Sequence, residues 1–142
     1  MRLYFAAPLF NPMEREFNAD LTARLEDAGH DVFLPQRDGI ETLEDPEFDS
    51  EEARMEKIFE LDREGVVESD AVIGVLDGRV PDEGVMIELG IAHENDIPVF
   101  GLKTDDRVFM PGEHLNAMIH GVLTTLDESV EDLLDTVEAH AE

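Results

Sequence analysis

Short apolar runs alternate with longer amphipathic stretches along the whole chain, and this alternation constrains the fold more than any other feature. Leu3 to Ala7, "DVFLP" (31–35), "AVIGVL" (71–76), "PVFGL" (98–102) and "GVLTTL" (121–126) each read as a strand. Helical signals fill the gaps. Asn11 is an N-cap, Pro12 suits the first helical position, and Glu14 completes a capping box. Phe17, Leu21 and Leu25 then form one stripe, which Gly29 ends. A polar loop over 36–49 precedes a helix from Glu51 to about Val67, with Met55, Ile58 and Phe59 expected on its inner face. Gly84 to Asn95 reads as a third helix and the surroundings of Asn116 as a short one. Val130, Leu133, Leu134 and Val137 place a final stripe at i, i+3, i+4, i+7.

Strands alternating with helices predict a parallel sheet covered on both faces. Five strands within 142 residues predict one domain, an α/β fold with a flavodoxin-like doubly wound order. Such sheets bind ligands beyond the carboxyl ends of their strands. Four segments lie there: Ala6 to Phe10, Pro35 to Gly39, Asp77 to Gly84 and Lys103 to Asn116.

Charge narrows the partners. The formal net charge is -26, with 36 acidic residues spread along the chain and interleaved with apolar ones. Lys57 and Lys103 are the only lysines. This pattern resembles proteins of salt-in halophiles. At about 1 M salt the Debye length is only ~3 Å, which screens the self-repulsion of such a surface. A dedicated basic partner is the alternative, but no block concentrates the acids. A basic nucleic-acid patch is not expected. There is no cysteine, hence no disulfide or thiolate site. No apolar run approaches a membrane span. "RLYFAAPLF" could pass for a signal core, but "NPMERE" follows it in place of a cleavage site, so a cytoplasmic protein is expected.

Several motifs are absent. No GxGxxG follows a strand, no phosphate-binding GxxxxGK[ST] occurs, and the histidines lack metal-binding HExxH spacing. No metal or organic cofactor is implied. Ser50 and Ser129 read as helix caps rather than nucleophiles.

Against this background "GVMIELGIA" (84–92) places Glu88 alone in an apolar run. It could lie on the wet face of an amphipathic helix. However, that helix is apolar on almost every side, and Glu88 lies in its first turns beside the expected ligand crevice, where a helix N-terminus favours the ionised form. An ionised carboxylate there suits attack on a sugar C1 carbon, forming a covalent glycosyl-enzyme while a second group protonates the leaving group.

The chain resembles the nucleoside 2-deoxyribosyltransferase family, which includes the deoxynucleoside 5'-monophosphate N-glycosidases. The likeness runs through "LYFAAPLF", "FLPQRD", "FELDREGVVESDAVIGVLDG", "DEGVMIELG" and "LNAM", in order along essentially the whole chain. It implies that Glu88 is the nucleophile, that Asp62 contacts the base and acts as acid, and that Tyr4, the only tyrosine, orients Glu88. It also implies that Asp82 binds the 5'-hydroxyl and that Asn116 is lent across a subunit interface to the sugar. Gln36 and Asp38 fall where the family contacts the base, and Gly84 and Gly90 where close packing around the nucleophile is expected. Each has a plainer reading: a solvated helix acid for Asp62, strand packing for Tyr4, a turn for Asp82, a cap for Asn116.

The implied substrates are a small-molecule deoxynucleoside and a free base, handled by a homodimer or higher homo-oligomer with shared active sites. The monophosphate glycosidases tend to carry serines where this chain has Asp82 and Asn116. A carboxylate repels phosphate, so Asp82 favours a free nucleoside, although Arg37 could meet a phosphate from another side. Transfer to another base is the expected outcome. Hydrolysis of monophosphates, or a non-catalytic nucleotide-sensing module on the same scaffold, are the alternatives.

Overall fold

Five strands pair in the order β2-β1-β3-β4-β5, and every pairing is parallel. The computed structural model describes residues 1–40 and 48–142. The polar loop expected over 36–49 therefore falls partly on 41–47, outside the described residues. The strands are β1 (Arg2–Ala6), β2 (Asp31–Phe33), β3 (Ala71–Val75), β4 (Val99–Leu102) and β5 (Thr125–Asp127). The helices are α1 (Pro12–Asp27), α2 (Pro35–Asp38), α3 (Glu51–Val67), α4 (Glu83–Glu94), α5 (Ala117–Val122) and α6 (Val130–Ala141). This is the flavodoxin-like doubly wound order expected from the alternation.

The three central strands are buried almost without interruption, as continuous apolar runs require when helices cover both faces. Side chains alternate between two cores. Leu3 and Phe5 face a core shared with Leu21 and Leu25 of α1 and Leu133 and Val137 of α6. Tyr4 and Ala6 face the other, with Val66 of α3 and Val85 and Leu89 of α4. Each fully buried Leu or Phe contributes roughly 1.5–3 kcal/mol. Gly74 of β3 lets α4 close onto the sheet, because a Cβ there would sit 2.9 Å from the Leu89 methyls. That close approach fixes the depth of the neighbouring Glu88.

The caps fall where the sequence places them. Asn11 accepts from the Glu14 backbone at 3.0 Å while Glu14 accepts from the Asn11 backbone at 3.2 Å. Ser50 and Ser129 each accept a backbone N–H at 3.1 Å.

Five expectations change. The second strand stops at Phe33, because Leu34 and Pro35 begin the one-turn helix α2. The fifth strand is Thr125–Asp127 rather than 121–126, since the helix capped by Asn116 runs on through Gly121 and Val122. Gly90 is not a close-packing position: nothing lies within 4 Å of where its Cβ would be. The apolar stripe of α3 is not an inner face. Met55 is 59% and Phe59 57% exposed. With 17 residues α3 is ~25 Å long. The five-residue strands beneath it span only ~17 Å. It packs on the sheet through Gly65 and Val66, while in its amino-terminal half Arg54 is the one buried residue. Ile87 of α4 is likewise 60% exposed, so that helix is not buried all round.

Candidate active site

Beyond the carboxyl ends of β1 and β3 lies a cavity of about 480 Å³, lined by Gln36, Asp62, Asp82, Gly84 and Glu88 among others. Five of the nine site residues singled out in the sequence meet there. Tyr4 stands directly behind them: its Oη donates to Glu88 Oε1 at 2.7 Å. Strand β1 delivers this hydroxyl from a fully buried ring stacked on Phe33, with centroids 5.4 Å apart and planes 11° off parallel. One Glu88 oxygen is thus occupied, and the other carries no protein hydrogen bond among the described residues.

Burial pushes the Glu88 carboxyl up to about 8. The Tyr4 hydrogen bond opposes this rise, and the nearby carboxylates of Asp62 and Asp82 add to it. Burial also raises Asp62, to about 6. Because the two interact, these values belong to the pair. Between about pH 6 and about pH 8 the pair holds one proton. That is the stoichiometry needed by a site with one carboxylate nucleophile and one carboxylic acid.

Asp82 caps α4, accepting from Val85 N–H at 3.1 Å through Oδ2. A side chain at Gly84 would crowd it, since a Cβ there would lie 3.1 Å from that same oxygen. Gln36 is held at both ends of its amide. Its Oε1 accepts from Asn18 Nδ2 at 3.0 Å, and its Nε2 donates to Arg15 O at 2.8 Å.

Asp38 and Asn116 are not part of this cavity. Asp38 pairs with Arg37 and accepts from Leu34 N–H at 2.8 Å, which ties down α2. Asn116 caps α5, accepting from Met118 N–H at 2.8 Å, and lines a separate cavity. Arg37 is also engaged away from the site, by Glu26, Asp38 and the Val32 carbonyl.

Sequence reasoning missed Asn18 and Arg15. Asn18 is buried and also donates to Pro8 O at 2.9 Å, so it fixes both the β1–α1 loop and Gln36. Its signal was available: it is a polar residue on the inward stripe that continues through Leu21, Thr22 and Leu25. Arg15 lines the cavity and donates to Leu9 O at 2.7 Å. On the far side of Glu88 and Asp62 lies a groove with Met55, Phe59, Ile87 and Ile91 along it. Among the described residues, no group of three or more His, Asp or Glu side chains is placed to hold a metal ion. No described helix is long and apolar enough to cross a membrane.

Residues 3–133 match the model of the nucleoside 2-deoxyribosyltransferase family. Among solved structures, a conserved protein from Enterococcus faecalis V583 aligns at TM-score 0.82 and 28% identity, covering 99% of this chain and 98% of that one. The 2-deoxyribosyltransferase of Bacillus psychrosaccharolyticus aligns at TM-score 0.76 and 28% identity, covering 94% and 90%. The Leishmania mexicana 2-deoxyribosyltransferase aligns at TM-score 0.74 and 20% identity over 98% and 97%, a likeness of fold. No curated protein matches the chain.

Proposed function

Since this chain belongs to the nucleoside 2-deoxyribosyltransferase family, we propose that it cleaves the N-glycosidic bond of 2'-deoxynucleosides and passes the sugar to another base. The observation that carries this reading is the Tyr4–Glu88 pair at 2.7 Å at a cavity that Glu88 and Asp62 both line, the other Glu88 oxygen carrying no protein hydrogen bond among the described residues. In the first step that oxygen attacks C1' of the sugar. The C1'–N bond breaks, its electron pair leaves with the base, and Asp62 gives the base its proton. A deoxyribosyl ester of Glu88 remains. In the second step a nitrogen of the incoming base attacks C1', returns a proton to Asp62 and frees the Glu88 carboxylate. Water in place of that base gives hydrolysis.

Asp82, through the oxygen not capping α4, is proposed to accept from the 5'-hydroxyl, and Gln36 to contact the base. Asp82 also opposes a 5'-phosphate in the same cavity. Arg15 in that cavity favours a second reading, a hydrolase of deoxynucleoside 5'-monophosphates. Asn116 is proposed to reach the sugar of a neighbouring subunit, as the homo-oligomer reading requires.

The test is deoxyinosine plus free adenine in concentrated KCl, with products separated by chromatography. Deoxyadenosine and hypoxanthine are expected, and Glu88→Ala is expected to lose about 10³-fold or more in rate. Near-normal turnover in a folded Glu88→Ala protein would exclude the covalent route. Faster cleavage of deoxyinosine monophosphate than of deoxyinosine would establish the second reading instead.

A further inference from the structure

Tyr4 is held from two sides. Phe33 stacks on its ring. From above, α3 approaches at Gly65 so closely that a Cβ there would lie 3.0 Å from both Cδ2 and Cε2 of Tyr4 and 3.5 Å from Cδ1 of Phe33. These are contacts with rigid rings, Tyr4 fully buried and Phe33 partly so, not with the end of a flexible chain. Gly65 is otherwise an unfavourable residue for the interior of a 17-residue helix. The three atoms nearest to where its Cβ would be all belong to these two rings.

We propose that Gly65 is a positioning residue and that Gly65 and Phe33 together form a slot fixing the Tyr4 ring so that its hydroxyl meets Glu88 Oε1. Asp62 lies one helical turn before Gly65, so α3 brings the slot and the acid to the site as one rigid element. The slot acts through the tyrosine and touches no reacting atom. Its catalytic consequence rests on the function proposed above; its effect on the Tyr4–Glu88 bond does not.

The chain supplies its own probe. Tyr4 is the only tyrosine, and there is no tryptophan. A phenol hydrogen-bonded to an ionised carboxylate emits weakly, because the excited ring passes its proton to the acceptor. Tyrosine emission titrated against pH therefore reports Glu88 ionising beneath an intact hydrogen bond. In the wild type, emission is expected to fall as pH rises. In Gly65→Ala and in Phe33→Leu the fall is expected to shrink by at least about half and its midpoint to move up. With deoxyinosine as substrate, both variants are expected to lose about tenfold or more in kcat with KM within about threefold. In a Tyr4→Phe background, Gly65→Ala is expected to cost less than about twofold in kcat.

Should Gly65→Ala not fold, Phe33→Leu alone decides. Unchanged quenching and midpoint in the folded variants overturn the slot, as does an equal kcat loss from Gly65→Ala with and without the Tyr4 hydroxyl. A wild type that shows the expected quenching but cleaves no deoxynucleoside leaves the slot standing and overturns the proposed function.

Discussion

Glu88 sits where its ionised form is disfavoured, and this has two measurable consequences. The first concerns rate. With Asp62 raised to about 6 and Glu88 to about 8, kcat/KM is expected to follow a bell with limbs near those values. The competent form is the one in which Asp62 holds the shared proton, the minor partition while Glu88 is the more basic of the two. Tyr4→Phe removes a hydrogen bond that favours the Glu88 anion, so it should move the upper limb higher. A flat profile from pH 5 to pH 9 would refute the pair. The second concerns stability. Between about pH 4.5, the ordinary value, and about pH 8, native Glu88 keeps a proton that the unfolded chain has lost. Stability from this group therefore falls as pH rises through that window, by on the order of 3–5 kcal/mol in total. Glu88→Gln has no proton to lose. It should melt above the wild type at pH 8.5, with the gap closing toward pH 4.5; equal melting temperatures at both pH values would contradict the burial argument. At this scale the sequence was informative where a residue broke its local pattern. Glu88 broke an apolar run, and Tyr4 and Asp62 were legible only through the family likeness. Asn18 broke the inward stripe of α1 but was passed over, whereas the role of Gly65 depends on distances between elements that lie far apart in sequence.

Helix α3 separates pattern from packing. Its apolar stripe was legible, but which side of the molecule that stripe faces depends on helix length against strand length, a comparison no periodicity contains. The same holds at α5, where "GVLTTL" reads as a strand by its Val, Leu and Thr residues and the upstream Asn116 cap commits its first two residues to helix. The exposed Met55, Phe59 and Ile87 border Glu88 and Asp62 in one groove. In the homo-oligomer proposed above, we infer that a second subunit covers that groove. Phe59→Glu should then turn an oligomer into a monomer in sedimentation and reduce activity at least about tenfold. Mixing Glu88→Ala with Asn116→Ala, after subunit exchange, should restore part of the activity. An active wild-type monomer would dismiss the shared site and leave Asn116 as a cap only.

For the molecule as a whole, fold class and strand order followed from the alternation alone, because a parallel sheet of buried runs allows few arrangements. Surface charge is a separate matter. A formal charge of -26 on 142 residues should make stability depend on screening. Melting temperature is expected to climb steeply from about 0.1 M to about 2 M KCl, as the Debye length shrinks from roughly 10 Å to a few Å. A salt-independent melt would point to a basic partner instead. The sheet's borders carry one more implication. Both outer strands, β2 and β5, are only three residues long, and each contains an aspartate, Asp31 and Asp127. Strand-by-strand addition of further copies needs a longer, less charged rail to start on. Ribbon or fibril growth is thereby blocked at both margins. Copies of this chain that meet are therefore expected to use their helical faces rather than their strand edges.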